Sequence, residues 1–243
     1  MAIELPGELV WVMDLLGLNW PQVNEDSVRQ YADHVRRFAT DIDGTHAAAT
    51  ATIRAMAEAY QAASYQQLAD TWTRMSADHM DDLVQVCNAS AIALEVAADV
   101  IVAAKLAVIT QLGIMAAELA AAVASAVVTL GASAAAEAAL AEVQRRIVKE
   151  IIQEAEDQVV GMLVERAVAP LEDAVTRALT GLVFKGVQAA VGAAGGGAGG
   201  AGEGFSIDPE RMLAHAAELQ RHAQDVVGHA QTFAGATAGV SFS

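Results

Sequence analysis

Tyr60-Gln61-Ala62-Ala63-Ser64-Tyr65-Gln66-Gln67-Leu68 lies between two stretches of helical periodicity, and its reading decides the fold. Upstream, Val28, Tyr31, Val35, Phe38, Ile42, Thr45, Ala49, Thr52 and Met56 alternate steps of three and four. That spacing draws a narrow stripe along one helix face and calls for a partner helix. Downstream, Leu68, Trp72, Met75, His79, Leu83 and Val86 keep the same rhythm. Ser64 stands three residues ahead of Gln67, a capping-box pattern in which the Ser hydroxyl accepts from the third helical N–H and the Gln side chain reaches back. A helix therefore restarts near Ser64 and the chain doubles back. Residues 24–90 read as a long antiparallel hairpin turning at 60–64, with Val28, Val35, Phe38, Ile42, Leu68, Trp72 and Met75 as its pairing stripe.

The rest of the 243-residue chain supports an all-α fold. More than half of it is hydrophobic, aromatics are scarce, and Ala, the best helix former, dominates. β-Branched residues are interleaved with Ala, Glu, Arg or Gln at helical spacing, so no strand run stands out. Before the hairpin, Leu5, Leu9, Val12, Met13 and Leu16 mark a short amphipathic helix, which Asn19-Trp20-Pro21 breaks because the residue before Pro disfavours helix. Asn24 caps the first long arm, with Glu25 and Asp26 placed for the helix dipole. Asp41-Ile42-Asp43-Gly44 is the weak point of that arm and reads as a kink or a break. An unbroken arm over 24–60 spans about 55 Å at ~1.5 Å per residue.

After the hairpin the chain turns strongly apolar. Residues 119–136 carry no charge, which approaches transmembrane length, but they are mostly Ala, Ser and Thr, so their drive to insert is weak. A buried or oligomer-packed helix is the preferred reading, with Gly113 and Gly131 as bend points; a membrane-active hairpin over 101–136 is the alternative. Ser133 caps a further helix through Leu140, Val143, Ile147, Ile151, Val159 and Leu163 that Pro170 ends or kinks, and a last one over 171–191 fades into Gly-rich linker. Then Asp208-Pro209-Glu210 opens a helix whose Met212, Ala216, Leu219, Ala223, Val226, Ala230 and Phe233 repeat the heptad rhythm. It has no partner in its own segment and must dock on something. The organisation expected is a hairpin module over 1–100, an apolar helical extension over 101–191, a linker over 192–204 and an amphipathic helix over 205–243.

Charge and chemistry exclude several function classes. A formal charge of −16 argues against nucleic acid, where Lys and Arg must neutralise phosphates, and against docking on anionic lipid. The Gly run lacks the strand-to-helix context of a phosphate loop, and no nucleophile–base–acid set stands out, so neither enzymatic activity nor a cofactor is expected. His215, His222 and His229 recur every seven residues with Glu218 and Asp225 between them. They read first as the polar flank of an amphipathic helix, and beyond that as a metal site or a contact titrating near pH 6. The single cysteine, Cys87, reads as a small core residue. Acidic residues at the start of the chain, where a secretory signal has bases, leave that signal unrecognised.

Gly17-Leu18-Asn19-Trp20-Pro21-Gln22-Val23-Asn24-Glu25-Asp26, the stretch from Tyr60 to Leu68, and Trp72 together resemble the Trp-x-Gly (WXG-type) family of type VII (ESX) secretion substrates, in particular the N-terminal trafficking domain of actinobacterial polymorphic toxins. The resemblance extends over some three quarters of the chain. It implies a non-enzymatic protein that is made in the cytoplasm and reaches the cell surface or medium without a signal peptide. It also implies recognition by the type VII machinery at the hairpin turn (Tyr60, Ala62, Ser64) and pairing with a small WXG-like hairpin or a second copy. The segment from Phe205 resembles the start of a second such module. Tyr60-Gln61-Ala62 stands where the family has its Trp-x-Gly turn, and the residue four beyond each tyrosine is Val35, Ser64 or Ala69 rather than the acid of the family's export signal.

Overall fold

The computed structural model describes residues 2–61, 63–75, 80–126, 133–163, 165, 170 and 206–242. The fold is all-α. A 3-10 turn (Gly7–Leu9) leads into α1 (Val10–Leu16), followed by α2 (Glu25–Ala59), α3 (Ala63–Met75), α4 (Asp81–Ala126), α5 (Ser133–Leu163) and α6 (Pro209–Ala238). Two-residue strands β1 (Tyr60–Gln61) and β2 (Ser206–Ile207) pair antiparallel, Tyr60 opposite Ile207. Two compact units divide the chain: Met1–Gln30 with Ala93–Val164 and Val240–Ser243, and Tyr31–Ile92 with Glu165–Gly239.

In the first unit the break after α1 falls on Gly17, whose φ of 61° is left-handed and costs a residue without a Cβ little. Its N–H donates to Asp14 O and that of Leu18 to Met13 O, closing the helix end. Val12, Met13 and Leu16 of α1 then pack with Val108, Leu112 and Met115 of α4 and Val148 of α5. Val108, Leu112 and Met115, within the 101–136 segment of the membrane alternative, are thus core residues, while positions 127–132 lie outside the described residues. Among the described residues no helix is long and apolar enough to cross a membrane. Further along, Val28 packs with Ala98 and Ile101, and Val159 closes over them. Helices α4 and α5 run antiparallel: Val159 lies near Ala98, and Gln144 bonds both Gln111 and Glu118.

At the start of α2, Asn24 caps as its residue type predicts, Oδ1 accepting from Ser27 N–H at 3.1 Å. Asn24 N–H donates to Phe242 O at 2.9 Å, and Ile3 N–H donates to the Glu25 carboxylate. Glu25 also takes a 2.7 Å bond from Lys105, both side chains being buried. The Lys105 ammonium lies 5.8 Å from the centre of the Trp20 ring, within cation–π range.

The second unit contains the hairpin. Helix α2 runs through Asp41-Ile42-Asp43-Gly44 without a break, because Ile42 is buried and its packing outweighs the roughly 1 kcal/mol that Gly costs in a helix. Gly113, likewise, sits inside α4. Helix α3 restarts at Ala63 and runs back along α2: Tyr65 Oη donates to Ile53 O at 3.1 Å, and Trp72 Nε1 to Thr50 Oγ1 at 2.9 Å. The turn itself differs from expectation, since Tyr60 and Gln61 are extended and pair with Ser206 and Ile207. Asp208 N–H adds a 2.8 Å bond to Ala59 O. A segment distant in sequence supplies the partners that turn backbone groups require. Position 131, and the whole 171–205 stretch read as helix and linker, lie outside the described residues.

Candidate docking face of the hairpin

The stripe on α2 divides between several partners. Val35 and Ile42 are buried, while Val28 belongs to the core of the first unit. Phe38 meets Phe233 of α6 in a tilted pair with ring centres 5.0 Å apart, and Tyr31 meets the same ring edge-on at 6.3 Å. From the second arm, Trp72 is half-buried and stacks on His46 at 5.2 Å, whereas Leu68 is 40% exposed. Met75 is helical, with its side chain outside the described set, as are Ala62 altogether and the side chain of Ser64. Tyr60 is half-buried in the small ladder.

Helix α6 is the component that sequence reasoning left without an address. Asp208 caps it, Oδ1 accepting from Glu210 N–H and Arg211 N–H at 3.1 and 3.2 Å, with Pro209 in the first turn. It lies along α2 through Arg211 to Glu58 (3.2 Å), Glu218 to Thr52 (3.3 Å), His229 to Thr45 (2.9 Å) and Phe233 to Phe38. As α6 positions rise, α2 positions fall, so the helices are antiparallel. The heptad rhythm in α6 announced the need for a partner; nothing local in the sequence named α2.

The histidines of α6, read as the polar flank of an amphipathic helix, lie along this seam. His215 and His222 side chains are 17% and 13% exposed, and His229 reaches Thr45. His215 Nδ1 is buried without a hydrogen-bond partner, 3.7 Å from Glu218, and His222 Nδ1 lies 3.8 Å from Asp225. Spacing by seven fixes that they share a face, but which flank meets protein depends on the roll of the helix, and that is set by Leu219, Val226 and Phe233. Among the described residues no group of three or more His, Cys, Asp or Glu is disposed to hold a metal ion.

Between α3 and α6, on the floor that α2 provides, lies a half-open groove of about 490 Å³. Ala49, Ile53, Trp72 and Leu219 make it apolar, and His46 and His222 both line it. Burial pushes the His46 imidazole below its ordinary value, against the opposing pull of Asp81 and Asp43. Cys87 is buried and its thiol is pushed up by that burial, which keeps it protonated and unreactive.

These features define an all-helical protein built round an antiparallel hairpin. A family model described as a WXG100-like domain matches residues 3–147, and the chain belongs to that family. Comparison with curated proteins and with solved structures yields no match.

Proposed function

We propose that this chain is a non-enzymatic, type VII secretion-associated protein, the trafficking and partner-binding domain of a polymorphic toxin of an actinobacterial host. The observation that carries the reading is the WXG100-like match over residues 3–147. The antiparallel α2–α3 packing, through Trp72 on Thr50 and Tyr65 on Ile53, supports it. In this reading the turn (Tyr60, Ala62, Ser64) is presented to the secretion machinery. The stripe through Val28, Val35, Phe38, Ile42, Leu68, Trp72 and Met75 serves pairing, in trans with a small WXG-like hairpin or a second copy. Residues 1–100 act as the hairpin module, 101–191 as a helical extension, 192–204 as linker and 205–243 as the start of a second module. The protein leaves the cell without a signal peptide. The test is its abundance in culture supernatant of the native host with and without the type VII ATPase: loss in the deletion strain is expected, and equal amounts in both strains overturn the reading.

A further inference from the structure

Helix α6 is thirty residues long, yet none of its residues is fully buried. Burial is what gives most helices in proteins their stability, so α6 is held at the weak end of the local-stability range. Its hold on α2 is a seam of half-buried contacts in which imidazoles recur once every two turns: His215 beside Glu218, His222 beside Asp225, and His229 on Thr45. The surface of α2 beneath carries a fourth, His46, stacked on Trp72 and lining the same apolar groove as His222.

We infer that α6 is an acid-released strap, docked on α2 while His46, which shares the groove with His222, is neutral and let go when it becomes charged. An apolar groove accommodates a neutral imidazole and disfavours a charged one, which loses hydration there. Among the described residues, polar and charged groups face these histidines from each element. On α2, Asp43 lies near His46 and Thr45 meets His229; α3 offers the uncharged Trp72; α4 contributes Asp81; and α6 itself brings Asp225 beside His222 and Glu218 beside His215. Asp43 and Asp81 favour a charged His46, but burial outweighs both. Asp225 lies 3.8 Å from His222 and is 46% exposed to solvent. The sign follows: with His46 depressed from 6.5, the docked state is favoured above about that pH and loses ground as pH falls. Release uncovers Phe38, Ala49 and Ile53 on α2, apolar positions along which a second amphipathic helix can lie.

Amide hydrogen exchange on the full chain, expressed as protection factors at pH 7.5 and 5.0, tests this. Protection across α6 is expected to fall at least about tenfold while that of α4 around Leu112 holds, and the fall is expected to vanish in the His46→Gln, His222→Gln double variant. The imidazole titration of His46, followed by NMR in the unsubstituted chain, provides a second readout if the variant alone fails to dock α6: its midpoint is expected to coincide with the release midpoint. Protection of α6 that is independent of pH, a fall shared by every helix, an undiminished fall in a docked double variant, or a His46 midpoint away from the release midpoint overturns the inference. None of these outcomes depends on whether the protein is exported.

Discussion

Glu25 and Lys105 form an ion pair at 2.7 Å with side chains 1% and 3% exposed, at the point where the first turn of α2 meets α4. Burial alone would raise the Glu25 carboxyl, but the hydrogen bond from Lys105, backbone N–H bonds from Ile3 and Glu25 itself, and the Lys105 charge hold it below its ordinary value. A pair this buried is costly to make and more costly to break, because removing one partner strands the other's charge. Lys105→Met is expected to destabilise the protein by about 3 to 5 kcal/mol, and Glu25→Gln combined with Lys105→Met to recover much of the loss. Urea unfolding of the single and double variants measures it.

The same pair sets an acid limit on stability. A carboxylate depressed in the folded state stabilises fully above its unfolded value, here 4.5, and loses that contribution as pH falls through the lower folded value. Thermal unfolding between pH 7 and 3 is expected to show a decline below about 4.5 that is smaller in Glu25→Gln.

Gly44 lies inside α2, its φ is not in the left-handed region, and a Cβ there meets nothing within 4 Å. Gly44→Ala is therefore expected to stabilise by about 0.5 to 1 kcal/mol, through the reduced freedom of the unfolded chain. An increase in denaturation midpoint at constant slope checks it.

Asp208 accepts two backbone N–H groups at the head of α6. Asp208→Ala is expected to cost about 1 kcal/mol, concentrated in α6 and the adjoining ladder. Hydrogen exchange of residues 209–215 is expected to rise more than that of α4.

Trp72 donates to Thr50 and stacks on His46, but it is half-buried. Trp72→Phe keeps an aromatic but smaller ring and removes the donor, and is expected to cost at least about 1 kcal/mol in denaturant unfolding. Truncation to Ala is expected to cost less than the roughly 3 to 5 kcal/mol of a fully buried aromatic.

Local signals in the sequence carried much of this fold. Asn24 and Asp208 announce helix starts by residue type, Pro21 announces the break, and the steps of three and four place Val35 and Ile42 on a buried face. Where the reading went astray, the deciding force was not local. Gly44 stays helical because Ile42 beside it is buried, and Tyr60-Gln61 is extended because Ser206-Ile207 pairs with it. The stripe containing Phe38 called for a partner, and its rhythm fits α3 and α6 equally well; tertiary packing gave Phe38 to Phe233 and Trp72 to Thr50. The histidine flank followed from the same choice, since the roll of α6 on α2 decides which side of the helix meets protein.

Helix α6 lies along α2 within one chain, and a double-mutant cycle on Phe38 and Phe233 tests that most directly. Unfolding free energies of Phe38→Ala, Phe233→Ala and the double variant are predicted to reveal a coupling of at least about 0.5 kcal/mol, as expected of an aromatic pair in contact. Effects that simply add, within about 0.3 kcal/mol, would contradict the docking of α6 on the hairpin.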